Sequence, residues 1–132
     1  MPMLVTFKKR DGTTLSLGPF EALRFEGAKL HAGDGKPIAR HENHHWLVRG
    51  EEYLRLDCDG PLTIAFLDSA GKPSRQFGPC AHFSSVGGIG YRDHEVFCHL
   101  DVQTKRWHLR AEQRDWAVLV VAHAKPAHAG AQ

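Results

Sequence analysis

Apolar residues along this chain mostly recur at every second position, and turn residues interrupt them every six to twelve positions. This is the period of a β-strand, in which successive side chains point to opposite faces. No long stretch carries apolar residues at the i, i+3, i+4 and i+7 spacing of an amphipathic helix. The pattern therefore predicts an all-β fold, either a compact β-sandwich or a small β-barrel of about nine to eleven short, mainly antiparallel strands.

The length and the end of the chain set the domain organisation. A chain of 132 residues has the usual size of one domain and buries enough surface to fold without a disulfide or a metal. We expect a single β domain over residues 1–124 and a flexible C-terminal tail over 125–132. The segment 19–30 is ambiguous: the interpretation we prefer is a strand over 22–31 with a bulge at Gly27, and the alternative is a short helix.

The composition limits the classes of partner and the cellular compartment that we expect. The formal net charge is +2, which is low for a nucleic-acid binder, so a nucleic-acid partner is not expected. The longest strongly apolar run, residues 116–122, is too short to span a bilayer, and no membrane partner is expected. The three cysteines cannot all pair within one chain, which is typical of free thiols in a reducing compartment, so we expect a cytoplasmic protein.

Two hairpins have a register that the sequence predicts. A three-residue loop of residues 10–12 pairs Phe7 with Leu15, with Gly12 at the left-handed position. In the second hairpin, a turn near residues 104–105 would place Val102 opposite Trp107. The predicted core consists of inward-facing strand residues: Val5, Phe7, Leu15, Leu17, Leu54, Leu56, Ile64, Phe66, Val96, Cys98, Leu100, Trp107, Leu109, Leu119 and Val121. The last strand, 116–123, is apolar on both faces and is expected to be central.

The outward face of the second hairpin is the predicted surface for a ligand or a partner. It carries Phe97, His99, Asp101, His108 and Arg110, with Asp101 expected opposite His108. An exposed aromatic ring beside imidazole, carboxylate and guanidinium groups suits a subunit contact or the wall of a ligand site. A solvated outer face with weak cross-strand ion pairs explains the same residues equally well.

Histidine is abundant, with ten residues in the chain, and it is densest at 41–45. Around His41 the sequence resembles the cupin family, whose first motif places a His-x-His pair five residues after a glycine. Gly35 and His41 match that spacing, His44 comes one place later than the family's second histidine, and His82 follows a Gly-Pro turn as in the family's second motif. The resemblance implies a double-stranded β-helix and a metal-dependent enzyme with His41, His44 and His82 as ligands.

Three functions follow from these features. Our first hypothesis is a non-catalytic binding or assembly module that self-associates through a strand edge, with an unknown small-molecule ligand, no catalytic residue and no cofactor. The second is the cupin-like enzyme, which would use a transition metal. The third is a small barrel of the OB or Sm type that binds nucleic acid through basic residues at hairpin tips and neighbouring aromatic rings.

Overall fold

The computed structural model describes residues 3–33 and 36–124. These residues form fourteen β-strands and no helix. The strands are β1 (Met3–Lys8), β2 (Thr14–Phe20), β3 (Ala22–Glu26), β4 (Lys29–His31), β5 (Ala39–Glu42), β6 (His45–Val48), β7 (Glu51–Tyr53), β8 (Arg55–Leu67), β9 (Pro73–Val86), β10 (Ile89–Arg92), β11 (Glu95–Leu100), β12 (Trp107–Leu109), β13 (Asp115–Trp116) and β14 (Val118–His123).

All fourteen strands belong to one antiparallel sheet. Its main path runs β13-β12-β11-β10-β9-β8-β14-β3-β4-β5-β6-β7, and β1 joins at its side by pairing with β8 and with β2. Among the described residues the two ends of this path do not pair, so the sheet is not closed into a barrel. The all-β prediction is confirmed. The strand count exceeds nine to eleven because tight turns divide the chain into several strands of two to four residues.

The first hairpin has the predicted register. Phe7 pairs with Leu15 and Val5 pairs with Leu17. Gly12 has a φ of +95°, which a glycine adopts without a Cβ clash. The alternation of side chains and the position of the glycine together leave a single register that keeps both apolar faces on one side.

The second hairpin is shifted by two residues from its predicted register. Leu100, rather than Val102, pairs with Trp107, and His99 pairs with His108. The strand ends early because the carboxylate of Asp101 accepts hydrogen bonds from the backbone N–H groups of two loop residues, at 2.8 and 3.1 Å. A shift of two residues leaves the side chains that pair across β11 and β12 on their predicted faces, so alternation alone cannot distinguish the two registers.

The prediction of a single bulged strand over 22–31 is wrong, and so is the alternative of a short helix. The chain turns at Gly27, where φ is +59°, and β3 and β4 pair as a hairpin with Phe25 opposite Leu30. The central position of the last strand is confirmed, since β14 lies between β8 and β3.

Aromatic rings connect the two arms of the sheet path. Phe25 of β3 contacts Trp46 of β6, Phe83 of β9 and Trp107 of β12, with ring centroids 5.7 to 5.9 Å apart. Edge-on and tilted arrangements of this kind are favourable for aromatic pairs. Because these rings come from both arms, one hydrophobic core joins β3–β6 to β9–β12.

Most of the predicted core is buried, with four exceptions. Leu15, Leu17 and Leu54 are half-buried. Val96 is 44% exposed, because the register between β10 and β11 shifts between Gly90 and Tyr91. The predicted tail 125–132 and Gly35 lie outside the described residues. In the part of the chain that the structure describes, no helix is long and apolar enough to cross a membrane.

Candidate functional site

A groove of about 830 Å³ runs over β10, β11, β12 and their connecting loops. We call it the histidine groove and define it by the six lining residues that carry its chemistry: Ile89, Val96, His99, Val102, His108 and Arg110. Four of the five residues predicted as a ligand or partner surface line it, namely His99, Asp101, His108 and Arg110. The outward face of the second hairpin is thus the surface of a depression.

His99 and His108 stack within this groove. They lie directly opposite each other on β11 and β12, and their rings are nearly parallel, 9° apart, with centroids separated by 5.0 Å. Among the described residues neither imidazole has a hydrogen-bond partner on its ring nitrogens. The stacked pair therefore presents ring nitrogens that a ligand can use as donors or acceptors.

The two acids that line the groove, Asp101 and Glu112, both have partners of their own. Asp101 holds its own turn, and the hydrogen bonds from the backbone N–H groups of Thr104 and Gln103 lower the pKa of its carboxyl group. Glu112 forms an ion pair with Arg75, with Oε2 and Nη2 3.0 Å apart. Arg110 is exposed, and within the described residues its guanidinium has no ion-pair partner.

Three apolar side chains in the wall of the groove are exposed to solvent. Ile89, Val96 and Val102 are 37%, 44% and 55% exposed, and they are three of the four large apolar side chains that are exposed in the described part of the chain. Contiguous exposed apolar residues at a concave surface are typical of binding sites. This wall could not be predicted from the sequence, since alternation predicts that Val96 and Val102 point into the core.

Phe97, the fifth residue of the predicted surface, is not among the residues that line the groove, and it is half-buried against the core. Its ring contacts Phe66 and Phe77, with centroids 5.8 and 5.0 Å apart. The guanidinium of Arg92 lies 5.6 Å from the centre of the same ring. The register shift beside Tyr91 breaks the alternation along β11, and the ring of Phe97 packs against the core through Phe66.

A second depression, of about 610 Å³, adjoins the groove and shares His44 and Val102 with it. We call it the lysine depression. Its lining residues come from the β3–β4 turn, β4, β5, the β5–β6 turn and the loop after β11, and comprise Ala28, Lys29, Arg40, His41, Glu42, Asn43, His44, Val102 and Lys105.

His41 lies at the buried side of the lysine depression. Its side chain is on β5, the residue is 5% exposed, and its Nε2 atom has no hydrogen-bond partner among the described residues. Burial, together with the nearby charges of His44 and Lys105, lowers the pKa of His41 to about 4. Sequence reasoning chose His41 for its spacing but missed its burial and the nearby Lys105.

His82 lies in a different environment. Its Nε2 is 2.9 Å from Oδ1 of Asp57, its Nδ1 is 3.9 Å from Oδ1 of Asp59, and its ring contacts that of His94. His82 is not among the residues that line either depression. Within residues 3–33 and 36–124 no group of three or more metal-ligating side chains is placed to hold an ion. The trio His41, His44 and His82 does not line one cavity, and the metal content stays a prediction.

Comparisons with models of protein families, with curated proteins and with solved structures found no match for this chain.

Proposed function

We propose that this domain is a non-catalytic binding module whose ligand is a small organic anion with an apolar body, held in the histidine groove. One observation carries the proposal: the stacked imidazoles of His99 and His108 and the unpaired Arg110 share a groove with an exposed apolar wall. Binding sites for small molecules are mostly apolar with a few convergent polar groups, which is the composition of this groove.

The charge of the ligand follows from the groups left free. A guanidinium presents a planar set of donors that matches a carboxylate or sulfonate, and imidazole nitrogens add donors beside it. Glu112 is paired with Arg75, and the carboxylate of Asp101 accepts two backbone hydrogen bonds. Among the described lining residues Arg110 is therefore the charged group without a hydrogen-bond or ion-pair partner, and it favours an anion. The apolar portion would contact Ile89, Val96 and Val102.

The chemistry of the groove supports binding rather than catalysis. Cys98 lines the groove and could act as a nucleophile, but it is only 1% exposed. Burial raises the pKa of its thiol, so the reactive thiolate is disfavoured. Asp101, the acid closest to the histidine pair in sequence, accepts hydrogen bonds from its own turn, and among the described residues it accepts none from either imidazole.

A fluorescent arylsulfonate, 8-anilinonaphthalene-1-sulfonate, tests the proposal because it combines an anionic group with an apolar body. We expect saturable fluorescence enhancement by the folded protein. Removing the charge of Arg110 by Arg110→Gln should weaken binding about tenfold, since a hydrogen bond to a charged group contributes roughly 1.5–3 kcal/mol. Val96→Asp should weaken it further by placing a like charge beside the sulfonate.

Arg24→Gln is the matched control, because Arg24 is an exposed arginine on β3 that forms an ion pair with Glu26 away from the groove. It should leave the affinity unchanged. Thermal melts of all variants must show that the fold is retained. Equal affinities for Arg110→Gln, Val96→Asp and wild type would contradict the proposed site.

Self-association through a strand edge forms the second part of the proposal. The seven-residue strand β2 pairs with β1 alone among the described strands, which leaves its other edge open. An open edge presents unpaired backbone donors and acceptors to another strand. The cysteines Cys58, Cys80 and Cys98 are free and buried, which supports the further proposal of a cytoplasmic location.

A further inference from the structure

The lysine depression has a cationic lining that the proposed function does not use. Lys29 and Lys105 are exposed, and within the described residues neither has an ion-pair partner. Arg40 forms an ion pair with Glu42, with Nε and Oε2 3.0 Å apart. Glu42 is the one acid among the described lining residues, so the cations exceed the anions and the depression favours a negatively charged occupant.

The backbone of Lys105 is held by contacts within its own loop and with Gly27. Its φ is +58°, a left-handed conformation that side-chain-bearing residues rarely adopt, and its N–H donates to the carbonyl oxygen of Asp101 at 2.8 Å. Its own carbonyl oxygen lies so close to Gly27 that a Cβ atom there would come within 2.9 Å of it. Trp107 donates from Nε1 to the carbonyl oxygen of Gly27 at 3.2 Å, which ties the same turn to the core. Backbone strain held in place by its surroundings is a feature of functional sites.

His41 supplies a polar group at the buried side of the depression. Its backbone N–H donates to the carbonyl oxygen of Ala28 at 2.7 Å, so the residue is tied to the β3–β4 turn. Its Nε2 has no partner among the described residues, although a buried polar atom is strongly favoured to have one. This imidazole lies close enough to Lys105 to feel its charge, so it is sensitive to an anion bound in the depression.

We propose that the lysine depression is a phosphate-binding site, in which Lys29 and Lys105 hold the phosphate group and the buried imidazole of His41 lies beneath it. A tetrahedral anion that carries one or two charges is favoured by an excess of cations, and two lysines with an arginine at the rim provide that excess. A metal ion is disfavoured there because the unpaired side chains are cations. The group belongs either to inorganic phosphate or to a phosphate monoester. This proposal uses a different set of charged residues from the histidine groove and does not depend on that site.

The imidazole of His41 can report occupancy. The groups that lower its pKa besides burial are His44, Lys105 and His45, all of which are cationic when protonated. A bound phosphate would oppose those charges and favour the imidazolium form. The experiment is a pH titration of the His41 ring by NMR with inorganic phosphate and, separately, with chloride at equal ionic strength. We expect phosphate to raise the pKa of His41 by about one unit relative to chloride.

The variant Lys105→Gln and the double variant Lys29→Gln with Lys105→Gln should abolish that rise. Lys72→Gln is the matched control, since Lys72 is an exposed lysine in the β8–β9 turn, and it should retain the rise. An unchanged pKa of His41 at saturating phosphate, an equal rise in chloride, or a full rise in the double variant would overturn the proposal. These results do not depend on the outcome of the arylsulfonate experiment, which tests the histidine groove alone.

A parallel titration with phenyl phosphate distinguishes the two sources of the group. If the natural ligand is a monoester, phenyl phosphate should bind more tightly than inorganic phosphate and should shift the resonances of Val102 and Val96, since Val102 borders both depressions. If it is free phosphate, the two probes should give equal affinities and leave Val96 unperturbed. Binding of neither probe would overturn the assignment.

Discussion

The imidazole of His41 lies edge-on against the indole of Trp46, with ring centroids 5.2 Å apart and planes inclined by 74°. The two residues face each other in register on β5 and β6. Trp46 is 1% exposed and His41 is 5% exposed, so the imidazole lies against an apolar wall of the core. This packing explains why the neutral form of His41 is favoured far below the usual pH of histidine protonation.

Acid should destabilise the protein through His41. With a folded pKa of about 4 and an unfolded value of about 6.5, the unfolded state takes up a proton first as the pH falls. The stabilisation is complete above pH 6.5 and is lost progressively toward pH 4, by about 3 kcal/mol in total. Urea unfolding at constant ionic strength, at a series of pH values between about 7 and 4.5, measures this loss.

His41→Phe should remove most of this pH dependence, because phenylalanine cannot take up a proton in either state. His123→Asn is the control, since His123 is a half-buried histidine at the end of β14, and it should keep the wild-type dependence. If the His41→Phe variant loses stability with falling pH as steeply as the wild type, another group is responsible for the acid sensitivity.

Gly27→Ala should destabilise the protein far more than Gly87→Ala. Both glycines have a φ of +59°, so both variants meet the same left-handed cost of roughly 1–2 kcal/mol. Only at Gly27 does the added Cβ meet another group, the carbonyl oxygen of Lys105 at 2.9 Å, whereas nothing lies within 4 Å at Gly87. We expect an additional loss of about 1–3 kcal/mol for Gly27→Ala, measured by urea unfolding.

The same variant pair tests how the loop of Lys105 is held. Displacement of this loop in Gly27→Ala should change the resonances of residues 101–106, while Gly87→Ala should leave them unaltered. Equal free energies of unfolding for the two variants would mean that the loop can move away at no cost in stability, and that its contact with Gly27 does not hold it in place.

Strand β2 is where we expect self-association to occur. Sedimentation velocity of the wild type should show a concentration-dependent dimer. Ser16→Lys adds a charge on this open edge strand and should shift the protein to monomer. Ala70→Lys adds the same charge at the exposed turn after β8 and should leave the dimer intact. A wild-type protein that sediments as a monomer at every concentration would contradict the edge as an interface.

The first hairpin shows how far the sequence leads. The fold class follows from the period-two pattern, and the pairing of Phe7 with Leu15 follows from the pattern and Gly12. The faces of the second hairpin are also predictable, because Cys98, Leu100 and Trp107 are all buried. These features are local: they depend on side-chain alternation and on the turn residues beside it.

The site depends on contacts between segments distant in sequence. A register shift of two residues keeps the paired side chains of β11 and β12 on the same face of the sheet. The sequence therefore could not decide between Val102 and Leu100 as the partner of Trp107. The stacking of His99 on His108 follows from the register that forms. The capping of the loop by Asp101 and its docking on Gly27, some seventy-five residues away, decided the register. The sequence by itself determined which side chains alternate toward the core. Only the tertiary structure decided which outward side chains meet, because alternation specifies a direction for each residue and no neighbour from another strand.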